Sequence, residues 1–435
     1  MQTNFSDSQR QQPHIRQAEK VLRTCVHCGF CNATCPTYQL LGDERDGPRG
    51  RIYLMKELLE SHDDDDQITD ETRLHLDRCL TCRNCETTCP SGVEYHKLLD
   101  IGRAEIERRA PRSMADKALR FSLRKALVEP ARFKSLLAMG QIFRPLVPGA
   151  LKDKMPAPAA TPGKRPDGRG QPRQMLILEG CVQPGLSPNT NAATARVLER
   201  FGIGLTPTPQ AGCCGAIDYH LSALEAGRER ARRNIDAWLP HLEAGCEAII
   251  QTASGCGAFV KEYAEILADD PHYADKARQV SEATLDLVEV LNREALDSLT
   301  LKADQRLAFH CPCTLQHAQQ LGGAVEQVLG RLGFELTPIQ DAHLCCGSAG
   351  TYSITQPKLS KQLRDNKMAA LEAGRPEVIV TANIGCQTHL ASARRTPVRH
   401  WIEVVDEALN SEPGVGIQPA GAGATGRHRA QLDKE

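Results

Sequence analysis

Aromatic residues make up only 4% of this 435-residue chain, too few for the stacking surface that single-stranded nucleic acids need. Net charge is nearly absent as well, at −1 with 53 basic against 54 acidic residues. A dedicated nucleic-acid binder carries a basic excess, so that class is excluded. No stretch approaches the roughly 18 uncharged apolar residues of a membrane span. The opening "MQTNFSDSQRQQPHIRQAEK" lacks the apolar core of a secretory signal. The expectation is a cytoplasmic protein without signal peptide or transmembrane helix. P-loop, HExxH and nucleophile-elbow motifs are missing too. "GAGATG" at 421–426 matches G-x-G-x-x-G in form, but no strand precedes it and only nine residues follow. A dinucleotide site needs a βαβ unit there, so the match is rejected.

What the chain has in abundance is cysteine, 18 residues of it. In a reducing compartment such a count points to metal ligation or redox chemistry, not to a disulfide framework. "CVHCGFCNATCP" supplies Cys25, Cys28, Cys31 and Cys35, and "CLTCRNCETTCP" supplies Cys79, Cys82, Cys85 and Cys89. Both follow C-x2-C-x2-C-x3-C-P, the run with which bacterial two-cluster ferredoxins hold [4Fe–4S] centres. Three cysteines at two-residue intervals curl one loop around three corners of a cube, and the fourth thiolate comes from the other run. The expected sets are Cys25, Cys28, Cys31 with Cys89, and Cys79, Cys82, Cys85 with Cys35. Zinc is the competing reading, but a third cysteine at the same interval and a closing Cys-Pro are not zinc habits.

Between the runs, Gly47-Pro48 opens an amphipathic helix with Ile52, Met55 and Leu59 on one face. That helix is expected to cover the clusters. Arg49 and Arg51 either balance cluster charge or are solvated surface residues. "DDDD" at 63–66 reads as a solvated loop.

Residues 103–134 carry ten Lys/Arg against four Asp/Glu, with apolar residues at helical intervals through Phe143. Such a basic amphipathic stretch lies on an anionic membrane surface, against a partner, or on its own protein. Residues 144–174 hold seven prolines and read as a linker. The resulting division is 1–102, a two-cluster ferredoxin-type unit; 103–143, basic and helical; 144–174, linker; 175–300 and 301–410, two repeats; and 411–435, a flexible tail.

The repeats rest on matched segments. "MLILEGC" ends at Cys181 and "RLAFHCPC" at Cys313; each is followed, after 31 intervening residues, by Cys-Cys-Gly, at Cys213-Cys214 and Cys345-Cys346. "LEAGCEAIIQTASGC" and "LEAGRPEVIVTANIGC" then close at Cys256 and Cys386. Alternating strand and helix in each half implies an α/β unit with a mainly parallel sheet. Cys181, Cys256, Cys313 and Cys386 fall at carboxyl ends of strands, where such sheets build sites. A disulfide between sequence neighbours is strained, since their Cα atoms are only ~3.8 Å apart. Paired cysteines suit ligation to two atoms of one cluster. A redox-active thiol pair, zinc, and structural cysteines are the alternatives. Cys246 and Cys311 have no repeat partner and read as plain buried cysteines. His310, His343 and His389 flank the motifs as candidate ligands or proton carriers, with a structural role as the alternative.

The Cys-Cys-Gly repeat resembles the cysteine-rich (CCG) domain of heterodisulfide reductase subunits and their relatives. That family associates such domains with a non-cubane iron–sulfur cluster. Where it can carry a fifth cysteine, three residues past the last, this sequence has Phe259 and His389. "CVHCGFCNATCPTYQLLGDERDGPRGRIYLMKELLE", "RCLTCRNCETTCPSGVEY", "LEGCVQP" and "CCGSAGTYSITQP" resemble the iron–sulfur subunits of the glycolate oxidase and anaerobic glycerol-3-phosphate dehydrogenase group, most nearly the former, over residues 15–410.

The resemblance implies an α+β multidomain chain: a helical ferredoxin-type unit and two α/β cysteine-rich domains. It implies two [4Fe–4S] clusters, and a further cluster at the repeats is the open expectation. It also implies flavoprotein partners that carry FAD and oxidise glycolate, a membrane quinone or similar acceptor, and a peripheral place on the cytoplasmic face of the inner membrane. No catalytic residue is expected on this chain. The alternatives are a carrier for a lactate or glycerol-3-phosphate dehydrogenase and, in another class, a disulfide reductase acting at the CCG site.

Overall fold

A computed structural model describes residues 1–61, 70–143 and 158–410. The "DDDD" run, the "GAGATG" match, the tail and much of the linker lie outside the described residues.

The N-terminal unit is built on three helices. Pro13–Thr24 starts with proline, which lacks the N–H that a first turn leaves unpaired, and it buries Ile15, Ala18, Val21 and Leu22. Pro48–Glu60 buries Ile52, Met55, Leu58 and Leu59 on the expected face. Tyr95–Arg109 packs Leu98, Leu99 and Ile106 into the same core. This third helix runs through residue 102, because its apolar rhythm continues to Ile106. Met114–Leu127 and Pro130–Phe143 form the expected helical pair, and neither contains a buried residue.

Two parallel sheets follow. In the first, β1 (Arg173–Ile177), β2 (Ile203–Pro207), β3 (Ile249–Gln251) and β4 (Thr284–Asp286) stand in the order β2-β1-β3-β4. In the second, β5 (Arg306–His310), β6 (Glu335–Leu336), β7 (Val378–Thr381) and β8 (Val398–His400) stand in the order β6-β5-β7-β8. The repeat seen in the sequence is thus a repeat of topology.

Side chains alternate across each sheet. Met175 and Ile177 of β1, with Leu307 and Phe309 of β5, point into one hydrophobic core shared by both halves. The helices Asn189–Glu199 and Trp401–Asn410 contribute Val197, Leu198, Trp401 and Val405 to it. The opposite faces carry Leu176 and Leu178 in the first half and Ala308 in the second, each in its own smaller core. The cysteine pairs lie on these outer sides: Cys214 joins the first outer core, Cys346 and Cys386 the second.

The N-terminal unit touches both halves. Arg83 pairs with Glu262 and Lys97 with Glu265 at 2.6 Å on the first half. On the second, Asn84 donates to the His343 carbonyl at 3.2 Å and Tyr352 Oη to the Arg78 carbonyl at 3.1 Å.

Candidate metal centres

The two ferredoxin-type runs share a backbone device. His27 and Thr81, the residues before the second cysteine, have φ of 61° and 53°; Gly29 and Arg83, the residues after it, have 88° and 59°. Alternating left-handed residues curl each loop into a cup, which costs a non-glycine residue energy unless the surroundings hold it. Arg83 is held by its ion pair with Glu262.

Each cup draws its fourth thiol from the other run. Cys89 acts electrostatically on Cys25 and Cys31, and Cys35 on Cys82 and Cys85. Burial raises the Cys31 thiol to about 11, with the neighbouring Cys25 adding to the shift. Burial likewise pushes Cys82 and Cys85 well above the usual thiol range. Four such sulfurs become thiolates together only where metal charge offsets their desolvation and mutual repulsion, which is the donor chemistry of an iron–sulfur cluster.

Pro48, Arg49 and Ile52 from the expected covering helix line the first cup with Cys25, Cys28, Cys31 and Cys89. Its rim is open: Cys28 is exposed, as are Val26 and Phe30. The second set is buried deeper. Thr81 N–H and Tyr95 Oη donate to Cys79 Sγ at 3.4 and 3.7 Å. Arg51, 1% exposed, is no surface residue. Its Nη1 stands 3.9 Å from Cys35 Sγ and its Nε donates to the His75 carbonyl at 2.7 Å. Beneath it, the buried carboxylate of Asp46 lies 2.9 Å from His75 Nδ1 and accepts from Arg78 at 2.8 Å. Arg49 instead pairs with Glu44 at 2.6 Å on a half-exposed edge.

In the first CCG half, Cys181, Cys213, Cys214 and Cys256 stand in a chain of sulfurs within hydrogen-bond reach of one another. Hydrogen bonds from Cys181 and then Cys214 hold the Cys213 thiol well below its usual range, helped by Arg230. Val128, between the two basic helices, packs against Cys181 and Cys213. In the second half Cys313 Sγ lies 3.9 Å from Cys345 Sγ, and Cys346 is within reach of Cys386. The motif glycines are obligatory. Gly215 has φ +104°, and a Cβ there would meet the Gly227 carbonyl at 2.8 Å; Gly347 has φ +86°, and a Cβ would meet the Ser360 carbonyl at 2.7 Å. All sixteen expected cysteines therefore fall into four groups of four.

Sequence similarity agrees with this geometry. Residues 21–93 match the 4Fe-4S dicluster domain family, and residues 175–261 and 307–391 each match the cysteine-rich CCG domain family. The glycolate oxidase iron–sulfur subunit of Escherichia coli (strain K12) is 62% identical over 95% of this chain and all of its own length. This chain belongs to the glycolate oxidase iron–sulfur subunit family. A probable glycolate oxidase iron–sulfur subunit of Bacillus subtilis (strain 168) is 31% identical over 85% of this chain and 88% of its own. Lactate utilization protein A of Bacillus licheniformis is 25% identical over 53% of this chain and 96% of its own. The chain is thus an iron–sulfur component of an oxidoreductase complex.

Three relations escape sequence reading. Cys313 acts on Cys82 more strongly than Cys35 or Cys79 does, and Leu80, Cys82, Cys313 and Cys345 pack in one cluster with Tyr352. The second ferredoxin-type set thus abuts the second CCG half. The Asp46–His75–Arg78 cage is likewise assembled from distant segments, and Asp46 and Arg51 in "GDERDGPRGR" were its available signal. Among the flanking histidines, His389 Nε2 is engaged by Ser360 and His343 is met through its carbonyl. His310 is buried beside Cys346 and Cys386. Cys311 is buried as expected, whereas Cys246 is half-buried.

Proposed function

We propose that this chain is the electron-carrying subunit of a glycolate-oxidising flavoenzyme complex. It would pass electrons from FAD on partner subunits to a membrane quinone or similar acceptor. Cys25, Cys28, Cys31 and Cys89 would hold one [4Fe–4S] cluster and Cys79, Cys82, Cys85 and Cys35 the other; the eight CCG cysteines would hold further metal. Iron–sulfur centres accept electrons singly, which suits the divided output of a two-electron flavin.

The observation that carries the reading is the row of thiol sets: an exposed rim at Cys28, the buried set beside it, and the second CCG half against Cys82. The residues tune and insulate. Tyr95 and the Thr81 amide donate hydrogen bonds to Cys79 Sγ, Arg51 supplies fixed positive charge at Cys35, and Leu80 and Tyr352 exclude water between the buried set and Cys345. The relatives' names supply glycolate as substrate. No described helix is long and apolar enough to cross a membrane. The outward Phe121, Ile142 and Phe143, set among Lys125, Arg132 and Lys134, support peripheral attachment to an anionic surface.

The test is to assemble the complex without oxygen and add glycolate. Reduced iron–sulfur EPR signals should appear in the complex and not in this chain alone. A complex that reduces quinone at full rate without this chain would sink the proposal. Turnover of a disulfide by the isolated, reduced chain would favour the reductase reading instead.

A further inference from the structure

Position 310 distinguishes the halves. It precedes Cys313 by three residues, as Leu178 precedes Cys181, and both end on the outer face of the central strand. Leu178 is an ordinary core residue, 3% exposed. His310 is as deeply buried, at 2%, yet neither Nδ1 nor Nε2 has a hydrogen-bond partner. An imidazole buried with both nitrogens unpaired loses its hydration without return, so it calls for a ligand of another kind.

The surroundings name that ligand. A His310 ring nitrogen, Cys346 Sγ and Cys386 Sγ all lie within 4.8 Å of one another. Donors to a single tetrahedral metal have bond lengths of ~2.0 Å for nitrogen and ~2.3 Å for sulfur, which spaces them in this range. Cys313 Sγ lies 3.9 Å from Cys345 Sγ, and Cys345 is in turn within hydrogen-bond reach of Cys346, so the four thiols form a chain with His310 at its Cys346–Cys386 end. Beyond each other, the adjacent cysteines meet different partners, Cys345 meeting Cys313 and Cys346 the second group, Cys386 and His310. Asn383 Nδ2 supports the second group by donating to Cys386 Sγ at 3.5 Å.

We infer that His310 is a metal ligand which, with Cys346 and Cys386, holds one metal atom of borderline-soft character, zinc or an iron of a cluster, in the second half alone. This rests on the reading that the CCG cysteines bind metal. The second half then offers five donors, four thiolates and an imidazole, while the first offers four thiolates.

The test uses the full chain purified without oxygen, as wild type, His310→Leu and His310→Cys. Leucine is what the first half carries at this place, and cysteine restores a donor. Iron, zinc and sulfide are counted per chain, with the two ferredoxin-type clusters as internal control. Wild type should exceed the roughly eight irons of those two clusters. His310→Leu should lose at least about one metal per chain while keeping the control clusters. His310→Cys should retain the metal and lose its nitrogen signature. For zinc that signature is a light scatterer at ~2.0 Å in K-edge absorption. For iron it is a nitrogen coupling in pulsed EPR that changes when histidine is isotope-labelled. A His310→Leu protein with full metal content and an unchanged ligand shell would overturn the inference and leave metal at the repeats standing. Wild type with only about eight irons and no zinc would overturn both.

Discussion

The two CCG halves have one strand order, one motif spacing and one glycine geometry, yet their thiols keep different company. The first set lies under Val128 of the basic helices, with Arg230 near Cys213. The second set lies against Cys82 of the N-terminal unit, with His310 at its edge. Even the residue that steadies the loop differs. Asn234 accepts from Gly212 N–H at 2.9 Å and donates to the Cys213 carbonyl at 3.1 Å. In the second half Lys367 donates to the Asp341 and Ala342 carbonyls at 2.8 and 3.3 Å. A duplicated scaffold therefore fixes where four sulfurs stand, while the neighbours decide what those sulfurs do. Both halves touch the N-terminal unit, but the second brings its thiols against Cys82, whereas the first meets it through the ion pairs of Glu262 and Glu265.

The sharpest way to break this comparison is Cys82→Ser. It should abolish the buried ferredoxin-type cluster and, with it, the magnetic broadening of any second-half EPR signal. A first-half signal should be unchanged. Equal effects on both halves would show that proximity to Cys82 is not what separates them.

Next in size is Arg51→Leu. It leaves the Asp46 carboxylate, 0% exposed, with one buried cation fewer. Breaking a buried ion network from one side costs about 3–5 kcal/mol. A denaturant titration of the holoprotein should show a loss of that order, together with a more negative potential for the buried cluster. A stable variant with an unmoved potential would remove Arg51 from the electrostatics of this site.

A third prediction concerns the seam between halves. His400 Nε2–H donates to the Thr252 carbonyl at 2.8 Å, and Nδ1 accepts from Ile402 N–H. Burial lowers its pKa from 6.5 to about 4, against the opposing effect of the bond to Thr252. Because the folded value is depressed, the unfolded chain takes up the proton first as pH falls. The stability is present above pH 6.5 and is lost progressively towards pH 4. At about 1.4 kcal/mol per unit, the loss is about 3 kcal/mol. His400→Gln should flatten the pH dependence of stability in that window; an unchanged slope would mean that His400 does not carry it.

The smallest effect expected is that of Lys367→Met. Burial already pulls this ammonium below the usual lysine range, while thiolate charge on Cys346 and Cys345 opposes the shift. Removing the charge should make the second-half centre harder to reduce by roughly 50–100 mV, read by redox titration, with no change in the first half. A shift of both halves together would erase the distinction.

The cysteine grouping was legible because cluster ligation imposes local spacing: Cys25 to Cys31, Cys79 to Cys85 and the two Cys-Cys-Gly turns are each confined to a few residues. The repeat was legible because strand and helix periods recur with the motifs. The contact of Cys82 with Cys313 was not, since it depends on docking segments over 200 residues apart, and no local pattern encodes docking. Arg51 read equally well as solvent-facing, because it stands only two residues from exposed Tyr53 and nothing in its own helix shows His75 beneath. His310 stood out only as a histidine near cysteines. Its unpaired nitrogens are a property of everything that fails to reach it.

The shared core between the two sheets has a consequence for how this chain could have changed over time. Ile177 and Phe309 face each other's halves, so a substitution at either is answerable to both copies, and neither copy can be discarded or exchanged without exposing the surface of its twin. Leu178 and His310, one position further along the same strands, face away and answer to one copy only. Descent from a single ancestral unit would thus lock the inner rows together and leave the outer rows free to diverge. Chemical individuality accumulates one residue away from enforced sameness.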